Sequence, residues 1–252
     1  RAVAVLAPPA GHTLLPLLSL ALGISGGLFA IGYAASHYGD LPPRVPLHFG
    51  FSGAADAWTD RSFGSVFLLP LSTLVSAVLC GGLAVLVANA KRALRDDDGT
   101  SLEAQERFRA SVARYLAIIT LLITAAMVTG SVSGTDVALG RSARLHPLFP
   151  ILLVAQIVFV IGGAIFLALR RGQGGSRLER RTDSAPLTDG LADNRLWRLG
   201  LFYVNRDDPS ILVEHRFGLG YTVNLGNWKG ILVLATVLIL PLGILLLCLL
   251  TL

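Results

Sequence analysis

Charge is the scarcest property of this chain. Only 15% of its 252 residues are Asp, Glu, Lys or Arg, where an ordinary soluble domain carries about 25%. The deficit is uneven: several windows of about 20 residues are almost free of charge, long enough to cross a hydrocarbon core of about 30 Å as helix. Cysteine is also rare. Cys80 and Cys248 both fall in apolar runs and neither has a CxxC neighbour, which argues against a disulfide framework or a zinc cluster. Signatures of standard enzymes are missing as well. There is no nucleophile elbow, no P-loop and no HExxH, and Gly218-Leu219-Gly220 is not a dinucleotide fingerprint. The expectation is a protein that is not an enzyme, with no cofactor and no resident metal.

What the chain has in abundance is apolar residues, at 53%. Five segments stand out, at Leu14–Ser36, Phe63–Ala88, Tyr115–Val137, Leu148–Leu169 and Ile231–Leu252. A chain in lipid must satisfy its backbone polar groups internally, and continuous apolar runs do that as helices. The fold class expected is therefore an all-α integral membrane protein of about five transmembrane helices, with a small cytoplasmic β-meander before the last span. Its parts are a four-span membrane domain over 1–170 with an outward loop at 37–62, a linker over 171–192, the meander over 193–230 and a fifth helix over 231–252. Arg1 rather than Met opens the chain and Leu252 falls inside an apolar run, so either end is open to trimming. The first run is read as a span, because no small-residue cleavage site followed by a soluble domain is visible.

The formal net charge is +5, and the cause is the arginine bias of loops on one side of a membrane rather than nucleic-acid binding. Of the 21 basic residues, all but Arg44, Arg61, Arg141 and Arg144 fall at the start of the chain, in 89–114 or in 170–230. By the positive-inside rule the amino terminus is cytoplasmic, the carboxyl terminus is outside, and the loop between the first two spans faces outward into periplasm or extracellular space. The spans hold almost no ionisable group apart from Asp136, which lowers the expectation of a transporter.

Local signals refine this layout. Thr100-Ser-Leu-Glu103 is a capping-box pattern preceded by Asp96 to Asp98, which predicts a helix from about Ser101 running into the third span. Gly23 with Gly27, and Gly130 with Gly134, have the spacing that lets helices approach closely in lipid. Pro70 and Pro241 sit inside spans and are expected to kink or break them. Before the last span, β-prone runs at Leu201–Val204, Ile211–Val213 and Tyr221–Leu225 are separated by turn residues, which predicts about three antiparallel strands. Trp197, Phe202, Tyr203 and Trp228 suggest that this piece leans on the membrane surface or on helix ends.

The outward loop carries the most polar chemistry. In "LPPRVPLHFGFSGAADAWTD", Pro42, Pro43 and Pro46 stiffen the backbone, and Phe49, Phe51 and Trp58 can dock on the membrane face or on spans. A fixed, folded-back loop is expected. Its polar groups are His48, Asp56 and Asp60, with His37, Asp40, Asp136 and His146 nearby in sequence or on the same side. Imidazoles with carboxylates can bind a divalent ion or respond to protons. No pair has HxxxH or HExxH spacing, and a hydrogen bond within the loop is the plainer role for His48. Asp56 is expected to cap a turn or the helix entering the second span, and Trp58 to anchor at the interface. The functional alternative is a partner-binding surface of His48, Phe49, Asp56, Trp58 and Arg61.

Pro42, Val45-Pro46, His48-Phe49, Gly53, Asp56, Trp58 and Arg61 together resemble the extracytoplasmic loop of the SdpI-like bacterial membrane proteins. A second stretch, "GLFYVNRDDPSILVEHRFGLGYTVNLGN", is similar to a small domain of unknown function that accompanies that loop. Tyr203, Asn205, Asp207, Asp208, Pro209, Arg216, Gly218, Gly220 and Asn224 carry this likeness. The resemblance implies immunity to a secreted toxic peptide, or signalling by holding a regulator at the membrane. Cytoplasmic partner contacts would then fall to Tyr203, Asn205, Asp207, Asp208, Arg216 and Asn224. The expected partners are the lipid bilayer with a secreted peptide or other membrane subunits, and no nucleic acid. The competing expectations are a structural or accessory subunit of a larger membrane complex, and, third, a metal-dependent membrane enzyme using the outward histidines.

Overall fold

The computed structural model describes residues 13–89, 102–171, 194–198, 202–214 and 221–251. Five helices are long and apolar enough to cross a membrane, which makes this a multi-pass membrane protein. They are α1 (Leu14–His37), α2 (Phe63–Asn89), α3 (Leu102–Ala138), α4 (Leu148–Arg170) and α5 (Trp228–Leu250). The apolar runs forecast all five. The third begins well before its apolar part, as the charged prelude to that span predicts; the capping residues Asp96 to Ser101 lie outside the described residues. Neither proline breaks its helix: α2 continues through Pro70 and α5 through Pro241. In hydrocarbon a break would expose backbone groups with no water to satisfy them, so helix continuity prevails over the local clash.

The chain forms two compact units, and the first comprises Leu17–Gly82, Leu116–Val160 and Leu238–Leu252. Glycines set its helix neighbours. A Cβ on Gly27 would stand 2.7 Å from the Leu74 Cα, and one on Gly23 would stand 2.8 Å from the Ala77 Cβ, so α1 and α2 touch backbone to backbone. A Cβ on Gly26 would meet the Thr124 side chain of α3 at 2.7 Å, and one on Gly130 of α3 would meet the Phe149 ring of α4 at 2.7 Å. At Gly64 of α2 it would overlap the Cys248 carbonyl of α5. The contacts run α4, α3, α1, α2, α5. Of the second glycine pair, only Gly130 faces a helix; Gly134 looks onto the Phe49 ring.

The same unit holds a two-stranded antiparallel hairpin, β1 (Arg44–Phe49) and β2 (Ala55–Asp60), between α1 and α2. The register pairs Arg44 with Asp60, Val45 with Thr59 and Pro46 with Trp58, then shifts around His48. A proline inside a strand is tolerated where the sheet has only edges, and here both strands are edges. Val45 is buried with Leu41 and Ala138, which pins the hairpin to the ends of the first and third helices by apolar contact. The folded-back loop is thus a hairpin, an element the sequence reading did not name.

The second unit comprises Arg1–Pro16, Leu83–Tyr115 and Ile161–Val237. A Cβ on Gly163 of α4 would overlap the Tyr115 ring of α3, and Phe108 of α3 lies 6.5 Å from Tyr221, ring to ring. The expected three-stranded meander is instead two separate two-stranded sheets. β3 (Trp197–Arg198) pairs with β4 (Phe202–Tyr203), and β5 (Leu212–Glu214) pairs with β6 (Tyr221–Val223). A single parallel bridge between Tyr203 and Asn224 joins them. The runs are too short to sustain one ladder, and a buried side chain takes over the linking hydrogen bonds. That side chain is Asn224, fully buried. Its amide Nδ2 donates to the carbonyls of Asn205 (2.8 Å), Asp208 (3.0 Å) and Ser210 (3.2 Å). Its Oδ1 accepts from the N–H groups of Asn205 (3.0 Å) and Gly226 (2.9 Å).

Candidate functional site

The hairpin presents two faces because side chains alternate along a strand. Val45 points into the core, and Arg44, Leu47, His48, Asp56, Trp58 and Asp60 are exposed. His48 Nδ1 and Asp56 Oδ1 stand 2.6 Å apart, with side chains 69% and 51% exposed. A carboxylate only accepts, so Nδ1 carries the proton and donates it. Nε2 is left with no partner among the described residues, on a side chain 69% exposed. An acidic group fixing one ring nitrogen while the other is presented is how proteins orient an imidazole for a ligand. Gly50 makes room for this pair: a Cβ there would stand 3.0 Å from the second Asp56 oxygen.

Asp56 therefore does not cap the second helix. Ser62 and Ser65 do so reciprocally: the Ser65 N–H donates to Ser62 Oγ at 3.0 Å and the Ser62 N–H donates to Ser65 Oγ at 2.9 Å. The Asp56 carboxylate is committed to His48, one strand away. The hairpin also exposes three large apolar groups: Phe51, fully exposed at the tip, Leu47 at 54% and Trp58 at 45%. Phe49 turns the other way, toward Gly134.

Rigidity comes from ties at both ends of the hairpin. The tip turns through Gly53, at φ +76°, a left-handed conformation that favours glycine. The Gly53 carbonyl accepts from the Leu145 N–H at 2.8 Å, which fastens the tip to the loop between α3 and α4. At the base, the Arg61 guanidinium donates to the carbonyls of Tyr38 (3.2 Å), Gly39 (3.5 Å) and Leu41 (2.6 Å) and lies over the Tyr38 ring at 5.4 Å. Arg61 thus holds the short 3-10 turn Tyr38–Asp40 that follows α1, and its charge suits the negative end of the helix dipole there.

Beside the hairpin is a cluster that sequence reading did not assemble. The Tyr33 hydroxyl donates to Asp136 Oδ1 at 2.7 Å. Arg141 donates to the same oxygen at 3.4 Å and to the Tyr33 hydroxyl at 3.3 Å. His37 Nδ1 lies 2.9 Å from the Tyr33 carbonyl, which can only accept, so Nδ1 donates and Nε2 accepts from Arg141 at 3.2 Å. The hydrogen bonds joining Tyr33 and His37 of α1 to Asp136 and Arg141 span 103 or more positions, and the hints in the sequence were His37 and Asp136, each near the end of an apolar span. Among the described residues no three His, Cys, Asp or Glu side chains gather as a metal site requires. Contrary to the sequence reading of no nucleophile elbow, Gly23-Ile24-Ser25-Gly26-Gly27 does have that spacing, but it lies mid-helix in α1 rather than on a strand-to-helix turn.

The second group of expected contact residues sits in the small sheets. Asn224 is fully buried and Tyr203 is 3% exposed. The Tyr203 hydroxyl donates to Asp208 at 3.1 Å and accepts from the Asn205 amide at 3.0 Å. Asn205 and Asp208 also hold the backbone N–H groups of Asp207 and Ser210. Among these residues Asp207 is exposed, and Arg216 lies outside the described residues. Asn227 completes the unit by capping α5, its Oδ1 accepting from the Lys229 N–H at 3.1 Å.

The comparisons agree with this division. Residues 27–74, spanning the end of α1, the hairpin and the start of α2, match the Domain of unknown function (DUF1648). Residues 206–231, spanning β5, β6 and the first turn of α5, match the Family of unknown function (DUF5808). No curated protein and no solved structure matches the chain. The chain is a helical membrane protein similar, over these two stretches, to domains whose function is unknown.

Proposed function

We propose that this protein is a membrane-embedded sensor or immunity-type protein whose hairpin holds a peptide or another envelope component. The observation that carries this reading is the exposed His48–Asp56 pair, with exposed Leu47, Phe51 and Trp58, on a hairpin tied at tip and base. An oriented imidazole nitrogen supplies a hydrogen-bonding point, and the aromatic groups supply apolar contact area at low entropic cost. The likeness of the loop to the SdpI-like proteins supports the same role. On this reading the protein is not an enzyme and binds no nucleic acid. It sits in a bacterial inner membrane with its amino terminus in the cytoplasm, and the small sheets report or recruit at the cytoplasmic face.

The test replaces the pair. A His48→Ala, Asp56→Ala variant that elutes from gel filtration as the parent does should lose the parent's protection of cells against secreted envelope-active peptides. Unchanged protection would count against the reading. Orientation is tested separately: Ser52→Cys should react with an impermeant thiol reagent on intact cells, and Lys229→Cys should not.

A second reading, an accessory subunit of a larger membrane complex, is favoured by α4 and α5. Only 6% of the most apolar stretch of each is buried, against 39% for α2 and α3. Such faces suit lipid or the helices of another chain. Co-purification of fixed stoichiometric subunits in mild detergent would select this reading, and a lone chain would remove it.

A further inference from the structure

The small sheets cannot drift from the bilayer. A Cβ on Gly230, in the first turn of α5, would overlap the Asn224 carbonyl, and one on Gly226 would overlap the Asn205 backbone. With the Asn227 cap, these contacts fasten the sheets to the point where α5 begins. The span begins with Trp228, which is 68% exposed and has the Lys229 ammonium 5.6 Å from its ring centroid. A second pair of the same composition lies on β3–β4. Arg198 and Phe202 are direct cross-strand partners and share a face, while their neighbours Trp197 and Tyr203 are buried on the other face. Phe202 is 37% exposed and Arg198 is exposed.

An aromatic ring beside a cation at the level where a helix enters hydrocarbon is the arrangement that settles at headgroups. The ring takes the boundary, and the cation reaches phosphate. Charge separates the two units. In the hairpin-bearing unit four arginines (Arg44, Arg61, Arg141 and Arg144) are balanced by four aspartates (Asp40, Asp56, Asp60 and Asp136). Among the described residues of the other unit, Arg107, Arg170, Arg195, Arg198, Arg206 and Lys229 are exposed against one exposed acid, Asp207, and Glu106 is bound to Arg109 at 3.2 Å.

We infer that the small sheets are a docking surface for anionic phospholipid headgroups, gripped by the Arg198–Phe202 and Trp228–Lys229 pairs. The occupant is the bilayer's own leaflet, because the sheets are anchored at its level and their exposed charge is complementary to it. Lipid charge would thereby set how firmly the sheets are held, independently of what the hairpin binds.

The test uses the full chain in nanodiscs of phosphatidylcholine alone and of phosphatidylcholine with phosphatidylglycerol, read by amide hydrogen exchange. Exchange at Phe202–Val204 and Trp228–Ile231 should be slower in the anionic discs, by roughly fivefold for each engaged basic residue. An Arg198→Gln, Lys229→Gln variant should lose that difference while its exchange in phosphatidylcholine stays as in the parent. Equal exchange of the parent in the two discs overturns the inference. That holds whether exchange is uniformly slow, as apolar contact alone would give, or uniformly fast, as for a face awaiting a protein partner.

Discussion

Tyr33 and Asp136 meet through a 2.7 Å hydrogen bond that ties the end of α1 to the end of α3. The bond closes a four-residue cluster with His37 and Arg141 beside the hairpin. Removing the hydroxyl by Tyr33→Phe should lower stability by about 1 kcal/mol, the net worth of one hydrogen bond. Asp136→Ala should cost more, roughly 1–3 kcal/mol, because it leaves two donors without their acceptor. Thermal unfolding in detergent reads both, and a smaller loss for Asp136→Ala than for Tyr33→Phe would contradict the arrangement.

The close approach of α1 and α2 makes a sharp contrast between two glycines of one helix. Gly27→Ala would place a methyl against the Leu74 backbone, whereas a Cβ on Gly32 meets nothing within 4 Å. Overpacking of this kind typically costs about 1–3 kcal/mol. Gly27→Ala should therefore lower the melting temperature in detergent, and Gly32→Ala should leave it unchanged or raise it.

Asn224 offers a test in which shape is held constant. In Asn224→Asp, a carboxylate oxygen replaces the Nδ2 that donates to three carbonyls. Acceptor would face acceptor in a fully buried site, at a cost of about 1–3 kcal/mol or more. Limited proteolysis should then cut between Trp197 and Leu225 while the five helices resist. Retention of the parent's cleavage pattern would show that the network is dispensable.

The helices were legible because a span must be continuously apolar, and that requirement is written residue by residue from Leu14 to His37 and again at Trp228–Leu250. The hairpin was harder to see. Pro46 interrupts the strand signal, and the alternation along Arg44–Phe49 is broken by the register shift at His48. Candidate residues His48 and Asp56 were named correctly as loop polar groups, but their pairing depends on that shift and on the absence of a side chain at Gly50. Ser62 and Ser65, rather than Asp56, cap α2, a local pattern that the sequence reading passed over. The Tyr33–Asp136 contact joins positions too distant for any local pattern to reveal. In the small sheets, strand propensity indicated extended segments, and the side chain that organises them, Asn224, was taken through the resemblance as a cytoplasmic partner contact, because burial of an amide leaves no periodic trace.

The neighbour sequence α4, α3, α1, α2, α5 has a bearing on biosynthesis. Gly64 keeps open, on the second-made helix, the slot that the Cys248 carbonyl fills from the last-made one. Closure of that slot therefore waits for α5, the last helix to be made, whose first turn is fastened to the sheets through Gly230 and the Asn227 cap.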